Sequence, residues 1–248
     1  MGHGFKATIQ YDLRQSLIIF PSETKMKATK CAVALLTAIG ISAIALPAMA
    51  YEAGDILVRG RVLEVNPQDD SGEVSINGTK IPGSGVTVNN DVIPELDFTY
   101  MINSHWGVEL ILGYSEHDVD ASGSLNAVGQ VIEAKVLPPT LTLQYHLDTV
   151  GGFSPYVGAG VNYTYYFDES VEGILNVPGA KVKMDDSWGL AVQAGFDYAL
   201  NDDWFLNMDI KYIQIDTTAK FKGTAVGNVE VDVDIDPLVY GVGIGRRF

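Results

Sequence analysis

The sequence predicts an all-β protein, an eight-stranded antiparallel transmembrane β-barrel with short periplasmic turns and long extracellular loops. Three observations lead there. The last eleven residues alternate a large apolar set (Leu238, Tyr240, Val242, Ile244) with a nearly bare one (Gly241, Gly243, Gly245). A strand points alternate side chains to opposite faces. One face of this segment therefore suits lipid, and the other leaves room inside. A soluble sandwich strand would carry polar groups on its wet face instead. The second observation is a series of eight strand-like segments joined by alternating short and long connections. The third is an absence. Nothing after residue 50 approaches the roughly 18 consecutive apolar residues of a membrane helix, and only helices and closed barrels satisfy every backbone group in lipid.

The N-terminal region reads as a targeting segment. Met26-Lys27-Ala28-Thr29-Lys30 is a basic start, Cys31 to Leu46 is an apolar and small-residue run, and Ala48-Met49-Ala50 is a small-x-small cleavage site. This pattern predicts a secretory signal peptide over 26–50 with cleavage after Ala50. A membrane anchor is the alternative, but the run is short for a span and a cleavage site follows it directly. Residues 1–25 precede a complete signal peptide, so Met26 is expected to be the true start and 1–25 a non-native upstream extension. The mature chain, 51–248, is one barrel-sized domain. It has eleven basic and 29 acidic residues, a net charge of −18. That excludes nucleic acid as a partner, because phosphate needs a basic face. Cys31 is the only cysteine, so the mature chain has neither disulfide nor thiol chemistry.

The eight segments span approximately 54–65, 92–103, 106–119, 134–147, 154–168, 187–200, 204–219 and 230–248. The connections after the second, fourth and sixth are tight. Those at 66–91, 120–133, 169–186 and 220–229 are long. Short turns on one rim and long loops on the other are the layout of an outer-membrane barrel. Alternation assigns an apolar set to each strand. Examples are Leu96, Phe98, Tyr100 and Ile102, then Val108, Leu110 and Leu112, then Leu141, Leu143 and Tyr145. Trp106, Trp204 and Tyr198 flank the short turns, while Tyr114, Trp188 and Tyr212 lie toward the long loops. Two aromatic girdles result. In a soluble lipocalin-like barrel the same apolar set would face inward, but the opposite face here is charged as well as small.

That opposite face carries Arg59, Arg61, Glu95, Asp97, Glu109, Asp197, Asp209 and Lys211. In lipid each charge would cost a few kcal/mol near the midplane. Inside an eight-stranded barrel, which is just wide enough for side chains to fill it, they can pair. A lumenal charge network is the expectation.

Other motifs carry little chemistry. Gly241-x-Gly243-x-Gly245 lacks the strand–turn–helix context of a nucleotide-binding loop. His105, His117 and His146 have no metal-ligand spacing, and no serine has a nucleophile-elbow setting. No catalytic residue, metal site or cofactor is expected. Asp232, Asp234 and Asp236 form an acidic row near the loop rim that reads as a solvated face. Leu137-Pro138-Pro139-Thr140 is more informative. Two prolines inside a strand remove two ladder donors. They mark either a tolerated bulge or a side opening into the bilayer.

Several stretches also resemble the outer membrane protein W family. They include Glu52-Ala53-Gly54-Asp55, Leu96-Asp97-Phe98-Thr99-Tyr100-Met101, Leu137-Pro138-Pro139-Thr140-Leu141, Asp202-Asp203-Trp204-Phe205-Leu206-Asn207-Met208 and Ile235-Asp236-Pro237. The terminal Phe248 is similar to the aromatic ending of bacterial outer-membrane barrels, which implies that barrel-assembly machinery reads it. The resemblance implies an eight-stranded barrel in the bacterial outer membrane, in contact with its lipid. It further implies passage of small hydrophobic solutes, and relatives that take up alkanes. The expected ligand path is an apolar upper lumen at Leu63, Ile111, Tyr166, Ile213 and Ile215, with Lys211 as a charge among them. The expected exit is sideways at Pro138 and Pro139. Two rivals stand beside this passive channel. One is a plugged structural or receptor barrel whose acidic loops bind an extracellular partner. The other is a lipid-acting enzyme, which no constellation supports.

Overall fold

A computed structural model describes residues 50–248. The predicted upstream extension and all of the signal peptide but Ala50 lie outside them. Eight strands close the wall: β1 (Ile56–Asn66), β2 (Asp91–Met101), β3 (Trp106–Gly113), β4 (Thr140–His146), β5 (Phe153–Val171), β6 (Ser187–Ala199), β7 (Trp204–Ile213) and β8 (Leu238–Arg247). Each pairs antiparallel with its neighbours in sequence, and β8 returns to β1. Closure removes the sheet edges that lipid cannot satisfy. Each predicted segment overlaps one of these strands, although β1, β2 and β5 run past the predicted bounds. No helix among the described residues is long and apolar enough to cross a membrane.

Two of the three short turns share one device. Asn103 Oδ1 accepts from the backbone N–H groups of His105 and Trp106, and Asn201 Oδ1 accepts from those of Asp203 and Trp204. Each asparagine replaces backbone partners at a tight reversal. Both turns lead into a tryptophan of the lower girdle.

The alternation decides which residues meet lipid. Leu141 and Val157 on the outer face are 50% and 51% exposed, whereas Arg59, Asp97, Glu109 and Asp197 are 0% exposed. The bare glycines of β8 face the arginines of β1: Arg59 lies opposite Gly245, Arg61 opposite Gly243 and Leu63 opposite Gly241. A β-carbon at 243 would meet Arg61 Cγ at 2.7 Å, and one at 245 would meet Arg59 Cγ at 3.0 Å. The glycine face therefore gives the arginine stems the room they occupy.

The long connections differ from the irregular loops predicted. Above the membrane the wall strands run on after short breaks. Ser115–Gly123 and Gln130–Leu137 form a hairpin that pairs with the top of β5, and Ser84–Val88 adds to it. A second sheet joins Lys181–Met184, Asp216–Thr224, Gly227–Asp234, Ser75–Ile76 and Thr79–Lys80, with Asp70–Ser71 against the third. Alternating apolar residues such as Val229, Val231 and Val233 turn inward from these strands. They form one apolar core with Leu63, Ile213 and Val239 of the barrel proper. A smaller core of Tyr51, Leu57, Met101, Ala199 and Phe205 fills the base.

Candidate functional site

The inward residues of β1 are Leu57, Arg59, Arg61, Leu63 and Val65, all buried. Read upward, they define three zones of the lumen: an apolar plug, a charged layer and an apolar cavity.

The charged layer brings together all eight predicted members. Arg59 contacts Asp97 at 3.1 Å and Asp197 at 2.9 Å. Arg61 reaches Glu95 at 2.6 Å, Asp97 at 2.9 Å and Asp209 at 2.7 Å. Lys211 links Asp209 at 2.8 Å to Glu95 at 3.2 Å. Glu109 lies 3.7 Å from both arginines and accepts from Thr142 Oγ1 and Gln193 Nε2. The register places Arg59 beside Asp97 and Arg61 beside Glu95 across the β1–β2 ladder. Partners this close and this enclosed leave no open path through the middle of the barrel.

The base contains residues that the sequence did not single out. Tyr51 lies before β1 yet is buried, and its hydroxyl donates to Asp197 Oδ2 at 2.6 Å. Its ring meets His146 edge-on at 5.1 Å. The Arg59 guanidinium sits 5.5 Å from the Tyr156 ring and 5.4 Å from that of Phe205, within cation–π range. Strand period could have pointed to Tyr156 and Phe205, since both alternate with lipid-facing neighbours. Nothing periodic marks Tyr51.

Above the charged layer is a cavity of about 70 Å³, lined almost entirely by apolar atoms. All five residues of the predicted path, Leu63, Ile111, Tyr166, Ile213 and Ile215, are in its wall. Glu95 and Lys211 reach it from the charged layer, so Lys211 enters the cavity as a paired cation. The long connections supply walls that the sequence reading missed, among them Val88 and Met184. His117, above the outer girdle, also faces it. Burial lowers the pKa of this histidine, an effect that its hydrogen bond to the Asn89 carbonyl only partly offsets. A second space, wholly apolar, lies higher in the extracellular part, between Val86, Ala121, Val131, Leu175, Phe221 and Val231. Along their strands, Val86 and Ala121 are two residues from Val88 and Val119 of the lower cavity.

Pro138 lines the cavity too, and the wall beside it is incomplete. The ladder between β3 and β4 stops at Ile111↔Thr140 and resumes at Ser115↔Val136. Leu112–Tyr114 face Leu137–Pro139 with no ladder pair among the described residues. The register is the same on both sides of this gap, so it is not a bulge. On the β5 side the Pro139 carbonyl accepts from the Tyr163 N–H and the Pro138 carbonyl from Asn162 Nδ2. The weak seam is therefore between β3 and β4. At Pro237, the corresponding break on the other side, Asp236 closes the gap by accepting from the Ile215 N–H and the Tyr212 hydroxyl.

No group of three or more His, Cys, Asp or Glu among the described residues is placed to hold a metal ion.

Comparison with known proteins follows the same outline. The family described as the OmpW family matches residues 52–248. Outer membrane protein W of Vibrio cholerae is 37% identical over 227 residues, which are 90% of this chain and 100% of that one. The crystal structure of the outer membrane protein OprG from Pseudomonas aeruginosa is 41% identical with a TM-score of 0.76, covering 81% of this chain and 99% of that one. Outer membrane protein AlkL of Ectopseudomonas oleovorans is 30% identical over 80% of this chain and 84% of its own. A solid-state NMR structure of outer membrane protein AlkL in DMPC lipid bilayers has a TM-score of 0.62 at 27% identity, covering 80% of this chain and 92% of that one.

Proposed function

Because the chain belongs to the OmpW family of outer-membrane barrels, we propose that it is a passive channel that takes small hydrophobic molecules from outside and releases them sideways into the outer membrane. One observation carries this reading: an apolar cavity ends on a sealed charged floor and abuts an unpaired seam in the wall. An apolar solute gains about 25 cal/mol for each Å² it removes from water. It finds that gain in the cavity and none in the charged layer, where it would also separate paired groups. Downward passage is closed to it, and the β3–β4 seam is the remaining exit. The higher apolar space beside Val86 and Phe221 is the first stop on the way in. No covalent step belongs to this route.

The variant Ile213→Asp tests the cavity. Ile213 is 8% exposed in its wall. A carboxylate there makes the space costly for an apolar ligand, and uptake is expected to fall by about tenfold, equivalent to about 1.4 kcal/mol. The barrel is expected to stay folded, because Ile213 lies above the charged layer and takes no part in its ion pairs. Unchanged uptake by folded Ile213→Asp would remove the cavity from the route.

The C-terminus supports a proposal about assembly. The Phe248 N–H donates to the Ile56 carbonyl and its carbonyl accepts from the Ile56 N–H, which closes the ring at the base. The side chain is exposed under Arg246, 4.7 Å from its ring. Read by barrel-assembly machinery, this aromatic is the recognition element. Phe248→Asp should lower the amount of barrel recovered in the outer membrane more than any substitution in the long connections. Wild-type recovery of that variant would sink the assembly role.

A further inference from the structure

Five lysines gather in the upper rows of the outer face of the second extracellular sheet, beside Glu230 and above the acidic rows of Asp216, Asp232 and Asp234. We infer that this face binds the phosphorylated sugars of the glycolipid that surrounds the barrel in the outer leaflet, through Lys80, Lys181, Lys183, Lys220 and Lys222.

The sheet register puts these five side chains on one face. Lys181 lies opposite Lys222, and Lys183 opposite Lys220. The second row continues from Lys220 to Glu230, then Ser75, then Lys80. The alternating partners Met184, Ala219 and Phe221 are buried in the core, so the lysines face outward. The mature chain has eleven basic residues against 29 acidic ones. Three of the eleven, Arg59, Arg61 and Lys211, are in the lumen, and Arg246 and Arg247 end β8 at the periplasmic rim. Five of the remaining six share this face; Lys135 is the other.

Like charges directly opposite on neighbouring strands destabilise a sheet. Lys220 is relieved by Asp185, with which it forms an ion pair. Lys181, Lys183 and Lys222 make no ion pair among the described residues. Lysine on an edge strand commonly blocks unwanted strand pairing, and Lys181–Met184 is an edge strand. Asp216–Thr224 is not an edge. Edge protection gives no reason for Lys220 and Lys222 to lie opposite two more lysines. An anion does give one, because neighbouring strands are about 4.8 Å apart and two ammonium groups at that spacing can share one phosphate.

The location selects the source of phosphate. Asp216–Thr224 continues β7, and its outward residues continue the face of Tyr212 in the outer girdle. The lysine face therefore looks sideways over the surrounding membrane, not up into the medium. Eight residues separate Tyr212 from Lys220, a rise of roughly 20 Å for a tilted strand. Phospholipid headgroups lie below that height, and the phosphorylated saccharide of a glycolipid extends to it.

The test uses full-length folded barrel and four probes: lipopolysaccharide with a phosphorylated core, the same glycolipid dephosphorylated, phosphatidylglycerol vesicles, and inorganic phosphate. The phosphorylated glycolipid is expected to bind about tenfold more tightly than its dephosphorylated form, with affinity falling steeply as salt rises. Lys181→Gln/Lys183→Gln/Lys222→Gln should lose about tenfold in affinity. Lys181→Glu/Lys183→Glu keeps the edge charged and should lose at least as much. Equal binding of the two glycolipid forms by the wild-type protein overturns the proposal whatever the variants do. So does an unchanged affinity in either folded variant. Equal binding to phosphatidylglycerol, or competition by inorganic phosphate at matched concentration, overturns the assignment to glycolipid sugar.

Discussion

Arg59→Met is expected to cost the barrel about 3–5 kcal/mol, the usual effect of removing one partner from a buried pair. Arg59 is fully enclosed, holds Asp97 and Asp197, and receives Thr99 Oγ1 as a third acceptor. Methionine keeps most of the stem that lies over Gly245 and beside Phe205. The lost quantity is therefore charge and not volume. The layer already holds five carboxylates against Arg59, Arg61 and Lys211. Removing one cation leaves Asp197 with Tyr51 and Asn207 as its hydrogen-bond donors. The temperature at which the fast-migrating folded form converts to the unfolded form should drop by on the order of 10 °C. Arg59→Met/Asp197→Asn should recover part of that drop, because it removes an uncompensated charge. If Arg59→Met melts with the wild type, the pairing drawn for the charged layer is wrong.

Pro138→Val/Pro139→Val should slow release of apolar solute several-fold while stability stays the same or rises. The two prolines lack the amide donors that a strand offers to its neighbours. The β3–β4 ladder is interrupted from Leu112 to Tyr114 where they sit. Valine restores both donors, fits a strand, and meets lipid or cavity without a polar group. Neither residue contributes to the charged layer, so any fall in uptake reports on the wall. Entry rates of an apolar solute should be compared in cells or vesicles whose outer leaflet carries glycolipid, since such solutes cross bare phospholipid unaided. Wild-type uptake by the folded double variant would rule out exit at this seam.

Much of this arrangement was legible in the sequence because a barrel strand is read with a single period. Lipid accepts only apolar side chains, so Leu141, Leu143 and Tyr145 and their counterparts identify the outer face. Charges cannot be on that face, so the alternation alone puts Arg59, Asp97 and Asp197 in one lumen. The register followed less easily. Gly241, Gly243 and Gly245 read as empty lumen, whereas they are the spaces taken by Leu63, Arg61 and Arg59. Where water replaces lipid the constraint on one face is lost, and the reading weakened accordingly. Connections taken as loops at 66–91 and 169–186 contain strands that build the cavity roof. Their inward residues, such as Val88 and Met184, come in runs of two to five residues, too short to establish a period. Tyr51 was missed for a different reason. It belongs to no strand, and its position depends on a hydroxyl finding Asp197 about 150 residues away in sequence, which no local pattern encodes.

The most direct test of the central claim compares entry of an apolar solute and a polar solute of equal size through the wild-type barrel, in vesicles with glycolipid in the outer leaflet. The predicted result is faster arrival of the apolar solute in the bilayer, with no faster arrival of the polar solute in the vesicle interior, because the charged layer closes the lumen. Equal acceleration of both would contradict a sealed floor. Acceleration of neither would contradict the channel and leave a structural or receptor barrel as the better account.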